Sequence, residues 1–202
     1  QCTIDDGKMG ICQLRENRGG ELYTHSWGRV VARGVDPIEK KPLHRFHPGS
    51  LSYSVATPGC NFRCGWCQNA DIARLRTGGG PRVEEELSPQ QIVAAAQDAR
   101  CASIAYTYTE PTLAHEYDLE VAKLAHARGI KNIHVTNGFI SAEALLELGP
   151  LLGAANVDLK AMRDSTYRRH AGARLRPVLD TLRRMRGLGI WIEVTTLLIP
   201  GE

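Results

Sequence analysis

A chain of 202 residues has the length for one main core with a small appendage. With 43% apolar and 23% charged residues, and no apolar run near the roughly 18 residues of a membrane span, it reads as a soluble protein with no membrane segment. A net charge of +3, from 25 basic and 22 acidic residues, is too small to imply a nucleic-acid surface, and the twelve aromatic residues form no stripe interleaved with basic ones.

Residues 1–50 stand apart as an N-terminal segment carrying Cys2 and Cys12. Gly19-Gly20 and Gly34 punctuate an alternating run from Leu22 to Val35, which predicts a small hairpin. From Leu51 to Glu202, short β-branched runs alternate with helical stretches, the pattern of βαβ units and a parallel sheet. Five strands are predicted: Ser52–Thr57, Ser103–Thr109, Asn132–Thr136, Asn156–Lys160 and Trp191–Ile199.

The helices between them carry start and stop signals. Ser88-Pro89-Gln90-Gln91 is a capping box with proline at the first helical position, opening a helix to about Arg100. A second begins near Pro111, places Leu113, Tyr117, Val121 and Leu124 on one face, and stops at Gly129. Ser141 caps a third, and Pro177 to Arg186 forms a fourth that buries Val178, Leu182 and Met185. Four βα units and a fifth strand fall short of the eight that close a barrel of about 250 residues. The expected fold is therefore an α/β partial (β/α) barrel, truncated after its fifth strand, with the N-terminal hairpin as an appendage. A start at Gln1 and a stop at Glu202, just after an apolar run, mark the chain as a fragment whose fifth strand is an open, sticky edge.

Cys60, Cys64 and Cys67 form C-x3-C-x2-C just after the first strand, where barrel loops build active sites. Three thiolates on one short loop can hold three corners of a cubane iron–sulfur cluster and leave one iron open. A closed structural zinc site would want four protein ligands, so a non-catalytic zinc or iron–sulfur module is the competing reading. Uneven cysteine clusters fit a reducing compartment with bound metal, hence a cytoplasmic location. Cys101, without a matching partner, is expected in the core. His44 and His47, flanking Phe46, receive no role.

The cysteine spacing, with aromatic Trp66 before the last cysteine, resembles the cluster motif of radical S-adenosylmethionine (SAM) enzymes. The resemblance implies a [4Fe-4S] cluster on Cys60, Cys64 and Cys67, with SAM as the second cofactor. It also implies reductive cleavage of SAM to a 5′-deoxyadenosyl radical that abstracts hydrogen from a substrate. The rest of the chain is similar to the pyruvate formate-lyase activating-enzyme branch. Thr109-Glu110-Pro111 stands where that branch has Gly-Gly-Glu-Pro, so Glu110 is expected on the SAM ammonium, although Tyr108 and Thr109 replace the two glycines. Thr136-Asn137-Gly138 implies Asn137 against the ribose or methionine portion, with a plain turn as the other reading.

Asp158-Leu159-Lys160 matches the branch's Asp-Leu-Lys. Alternation sends Asp158 and Lys160 to the barrel interior, where Lys160 would reach the SAM carboxylate. Leu197 to Gly201 resembles that branch's Val-Pro-Gly, and Glu193, where the branch often has arginine, has no assigned role. Asn17 to Gly20, Gly28 to Ala32, Asp36 to Leu43 and Tyr106 to Tyr108 look like the radical SAM enzyme of the AmmeMemoRadiSam system. The implied partners are SAM, an electron donor such as flavodoxin or ferredoxin, and a substrate left open, a partner protein's glycine among the candidates; nucleic acid and membrane are not expected. Between Arg163 and Arg186, eight arginines face only Asp164 and Asp180, which marks a solvated helix face or a docking surface for an acidic partner.

Overall fold

The computed structural model describes residues 3–75 and 85–199. Its strands in chain order are β1 (Arg15–Arg18), β2 (Glu21–Thr24), β3 (Arg29–Val30), β4 (Ala32–Pro37), β5 (Leu51–Ala56), β6 (Glu85–Glu86), β7 (Ser103–Tyr106), β8 (Lys131–Thr136), β9 (Leu152–Asp158) and β10 (Trp191–Thr195). Six of them build the main sheet in the order β10-β9-β8-β7-β5-β4. The five from β5 to β10 in this sheet run parallel, and β4 pairs antiparallel with β5 from Ala32↔Ala56 to Pro37↔Leu51. All five predicted parallel strands are present, in an open sheet whose β10 edge is unpaired among the described residues.

The predicted hairpin over Leu22–Val35 is corrected. The turn falls earlier, at Gly19-Gly20, where φ of 62° and 90° gives the left-handed pair of a two-residue hairpin between β1 and β2. Val35 belongs instead to β4, which covers the β5 edge of the parallel sheet. The second and fifth predicted strands end early, at Tyr106 and Thr195, and the fourth begins at Leu152. The final predicted residues Pro200, Gly201 and Glu202, and Cys2, lie outside the described residues.

The helices are α1 (Ala70–Ala73), α2 (Pro89–Asp98), α3 (His115–Ala127), α4 (Ala142–Leu148), α5 (Asp164–Thr166) and α6 (Leu175–Gly187). Ser88 Oγ accepts from the Gln91 amide at 3.3 Å while Gln91 Oε1 accepts from the Ser88 amide at 2.8 Å, which is the predicted capping box of α2. Ser141 Oγ caps α4 through the Ala144 amide at 3.2 Å. Helix α6 starts two residues before Pro177, since a proline in the first turn forfeits no intrahelical bond. No helix among the described residues is long and apolar enough to cross a membrane.

Strand alternation assigns the two faces of the sheet. Ile104, Tyr106, Ala155 and Val157 face the helices and form the main core with Ile92, Val121, Leu145 and Val178. Ala105, Ile133 and Ala154 face the other way, onto Ile38, Leu43 and Phe46. The stretch after β4 thus plugs the inner face of the sheet. Cys101 is buried in the main core, as expected. Glu193, without a role in the sequence reading, fastens this plug: its carboxylate accepts the amides of His44 and Arg45 at 2.9 Å each.

Candidate metal and cofactor site

Above the plug, at the C-terminal ends of the parallel strands, lies a cavity of about 550 Å3. Cys60, Cys64 and Cys67 line it together with Trp66, Glu110, Asn137, Asp158 and Lys160, so the residues expected to hold the cluster and SAM meet in one place.

The cysteine loop follows β5 through Gly59, whose φ of 93° favours glycine and whose Cβ position lies 2.5 Å from Leu14 Cδ1, so that a side chain there would force Leu14 to move. The Gly59 amide donates to Ile72 O at 2.9 Å, the Arg63 amide to Ala171 O at 2.9 Å and the Gly65 amide to His170 O at 3.0 Å. The Arg74 guanidinium donates to the Cys64 carbonyl. Cys60 Sγ accepts from the Phe62 amide at 3.3 Å and from Asn137 Nδ2 at 3.7 Å. All three thiols are free of disulfides. Burial, seconded by the Glu110 carboxylate, pushes the Cys60 thiol up to about 12, and burial also raises Cys64. Thiols so disfavoured as bare thiolates gain most from a bound cation, because the thiolate is the ligand form. Among the described residues no three Cys, His, Asp or Glu side chains converge on a cage for a single metal ion. Three free thiols on one loop beside an open cavity suit the donor set of a cubane cluster with one exchangeable iron.

Glu110 is buried at 1% exposure and ties two strand ends together. Its Oε1 accepts from the Thr112 amide at 3.1 Å, Thr112 Oγ1 at 2.5 Å and Thr136 Oγ1 at 2.7 Å, and its Oε2 accepts from the Asn137 amide at 2.8 Å. Burial raises its pKa, and the donors from Thr112, Asn137 and Thr136 oppose the rise. Asn137 in turn donates to Asn61 Oδ1 at 2.6 Å, tying the end of β8 to the cysteine loop. Lys160 Nζ pairs with Asp158 at 2.7 Å on the face predicted by alternation, while Leu159 packs into the helix-side core. Burial lowers the Lys160 pKa, but Asp158 outweighs it and leaves the ammonium above the ordinary lysine value. Trp66 lies 5.4 Å from the His170 ring, and its buried Nε1 has no hydrogen-bond partner among the described residues.

The sequence reading missed a second polar group, which borders the cavity through Lys40 and Tyr108. Asp36 accepts from Lys40 and Lys41 at 2.7 Å each, from Ser54 Oγ at 2.7 Å and from the Tyr108 hydroxyl. Lys41 is fully buried and lies 4.5 Å from the Tyr108 ring centroid. Burial works to raise the Asp36 pKa, but the donors prevail and hold it well below the usual carboxylate range. Tyr108 stands where the resembled branch has glycine, and it takes the left-handed φ of 68° that a glycine would adopt freely. Its contacts to Asp36 and Lys41 hold that conformation. The signal available in the sequence was an acid and a base four residues apart, Asp36 and Lys40.

The uncharacterized protein MJ0808 of Methanocaldococcus jannaschii is 41% identical over 199 residues, covering 98% of this chain and 58% of that protein. A GTP 3′,8-cyclase of Mycobacterium ulcerans is 31% identical over 190 residues, covering 87% of this chain and 49% of that protein. The chain thus spans roughly half the length of these two relatives. The fold is similar to that of Streptococcus suis SuiB bound to S-adenosylmethionine, with a TM-score of 0.56 at 15% identity over 71% of this chain and 33% of that one. A radical SAM methyltransferase from Sphaerobacter thermophilus gives a TM-score of 0.57 at 19% identity over 77% of this chain and 50% of that one. The model of the radical SAM superfamily matches residues 54–202, three quarters of the chain, and the protein accordingly belongs to that superfamily, whose members bind a [4Fe-4S] cluster and SAM.

Proposed function

We propose that Cys60, Cys64 and Cys67 would hold a [4Fe-4S] cluster, leaving one iron without a protein ligand, and that SAM would fill the adjoining cavity. When bound and reduced, the cluster supplies the electron that splits SAM into methionine and a 5′-deoxyadenosyl radical. The protein's own part is to bind and orient. Glu110 offers a fixed, desolvated carboxylate to the SAM ammonium, and Lys160, poised by Asp158, offers a cation to the SAM carboxylate. Asn137 donates to Cys60 Sγ, where an N–H bond spreads charge off a ligand sulfur, and presents its remaining surface to the ribose or methionine portion. Trp66 walls the cavity beside the last cysteine.

The observation that carries this reading is the convergence of three free thiols with Glu110, Asn137 and Lys160 on one cavity. The finer reading is hydrogen abstraction from a substrate in the manner of a glycyl-radical-enzyme activase, within the AmmeMemoRadiSam group. It rests on the Tyr106-Thr107-Tyr108 and Asp36-to-Leu43 segments and on Asp158-Leu159-Lys160. Free thiols suit a reducing compartment such as the cytoplasm.

The test is anaerobic reconstitution with iron and sulfide, reduction with dithionite in the presence of SAM, and chromatography for 5′-deoxyadenosine. Product with the parent chain is expected, and a protein that takes up four irons yet makes no 5′-deoxyadenosine would refute the reading. Lys160→Ala should weaken SAM binding by about 1.5–3 kcal/mol, the range for a hydrogen bond to a charged group, with iron content unchanged.

A further inference from the structure

Between β7 and Glu110 the chain makes a turn that a tyrosine has little reason to occupy. The Thr109 amide donates to the Thr107 carbonyl at 2.9 Å, closing a γ-turn centred on Tyr108, whose φ is 68°. A γ-turn with positive φ at its centre is the rarer and more strained of the two hands. Glycine would enter it freely, whereas a Cβ crowds the neighbouring backbone. The turn also decides where the next residues fall. Beyond it, Thr109 Oγ1 donates to Thr57 O at 2.5 Å and the Glu110 amide to Gly59 O at 3.2 Å, which stitches the chain across the end of β5 beside the cysteine loop. From there the Glu110 carboxylate reaches Thr136 and Asn137 at the end of β8.

Strain of this kind persists only where the surroundings over-determine it. Here they do so from two directions. Toward the stretch after β4, the Tyr108 hydroxyl donates to Asp36 Oδ2 and accepts from Lys41 Nζ at 3.2 Å, and the same ammonium lies 4.5 Å from the ring centroid. Asp36 and Lys41 are themselves buried, which fixes this anchor in place. Toward the cysteine loop, the Tyr108 carbonyl accepts from Asn69 Nδ2 at 2.8 Å.

We propose that Tyr108 is a positioning residue: anchored on Asp36 and Lys41, it holds the strained turn that sets the place of the Glu110 carboxylate at the cavity. The proposal rests on the function proposed above, in which Glu110 meets the SAM ammonium, and it adds what fixes that carboxylate. The donors from Thr112, Thr136 and Asn137 orient the carboxylate itself, while the turn fixes the backbone from which it hangs. Both are needed, since a binding group works only when held within about 0.5 Å of its productive geometry. A backbone relaxed at Tyr108 would carry Glu110 off by more than that, because the bonds to Thr57 and Gly59 begin one and two residues beyond the turn.

The test uses the complete chain with its cluster reconstituted anaerobically, SAM as the probe and equilibrium dialysis to read its dissociation constant. Tyr108→Ala keeps the Cβ that strains the turn and removes the side chain that holds it, so SAM affinity should fall by about tenfold or more, with iron content at the parent's level. Tyr108→Gly removes still more side chain but also the strain, and should bind SAM about threefold or more tighter than the alanine variant. Tyr108→Phe, which loses the hydroxyl contacts alone, should fall between parent and alanine. Loss of packing by itself would rank glycine at or below alanine, so the inverted order is the mark of the turn. Urea unfolding of the iron-free protein should show the same inversion, with the higher midpoint in the glycine variant, although glycine ordinarily costs more than alanine in the unfolded chain. If the parent binds SAM and the alanine variant binds it equally well, the proposal is overturned. A glycine variant no tighter than alanine, or a phenylalanine variant equal to the parent, would overturn it too. A parent that itself binds no SAM would strike the proposed function and this role with it, so the parent alone tells the two failures apart.

Discussion

Replacing Glu110 with alanine should destabilise the protein even with no cofactor present. The side chain accepts four hydrogen bonds, and two of the donors, Thr136 Oγ1 and the Asn137 amide, are buried on the neighbouring strand end. Leaving a buried donor without its acceptor costs about 1–3 kcal/mol, so the two together cost about 2–6 kcal/mol, before any cavity left by the lost side chain. Thr112 adds two partly buried donors that water can serve, and they contribute little. Urea unfolding of the iron-free protein, followed by far-ultraviolet circular dichroism, reads this cost directly through the midpoint at unchanged slope. Glu110→Gln should fall between alanine and parent, since its oxygen still serves one set of donors while its amide opposes the other. An alanine variant within about 0.5 kcal/mol of the parent, the scatter of ordinary surface changes, would refute the view that Glu110 fastens β7 to β8. The same result would mean that any loss of SAM affinity in this variant reports ligand contact alone.

Changing any one of Cys60, Cys64 or Cys67 to alanine should abolish the four-iron cluster, while Cys101→Ala leaves iron content intact; full iron in all three loop variants would end the assignment. Asp36→Ala should cost about 3–5 kcal/mol, because it strands the fully buried Lys41 ammonium, whereas Lys40→Ala, a largely exposed partner, should cost under about 1 kcal/mol in the same urea assay. His134 is buried beside Tyr106, and desolvation lowers its pKa from 6.5 to about 3. The unfolded chain therefore takes up this proton first, so stability is retained above pH 6.5 and falls as the pH drops towards 3, by about 2 kcal/mol at pH 5 from the 1.5 units below 6.5. His134→Phe should remove that share of the acid slope, and an unchanged slope by thermal or urea unfolding would show that the imidazole is protonated without penalty in the folded state.

Much of the architecture was legible in the residue order because local physics decides it. The Ser88 capping box, the β-branched runs of the parallel strands and the C-x3-C-x2-C spacing each act within a few residues; the box and the cysteine loop appear where expected, and all five strands are present with shifted ends. Alternation along β9 was enough to bring Asp158 and Lys160 onto one face and send Leu159 to the other. The N-terminal hairpin was misplaced because alternating residues in Leu22–Val35 suit either a hairpin or a sheet edge, and only the left-handed backbone at Gly19-Gly20 separates the two. Asp36 and Lys41 gave no reason to be placed beside Tyr108, since Lys41 and Tyr108 lie 67 residues apart. The bonds from the π-helical turn Tyr167–Ala171 to the cysteine loop span more than a hundred residues and join backbone atoms, which carry no side-chain signature at all. Chemistry confined to one loop or one strand was determined by sequence alone; pairing between distant segments depended on which faces the tertiary fold buried together, because burial is what makes an unpaired ammonium, carboxylate or amide costly enough to demand its partner.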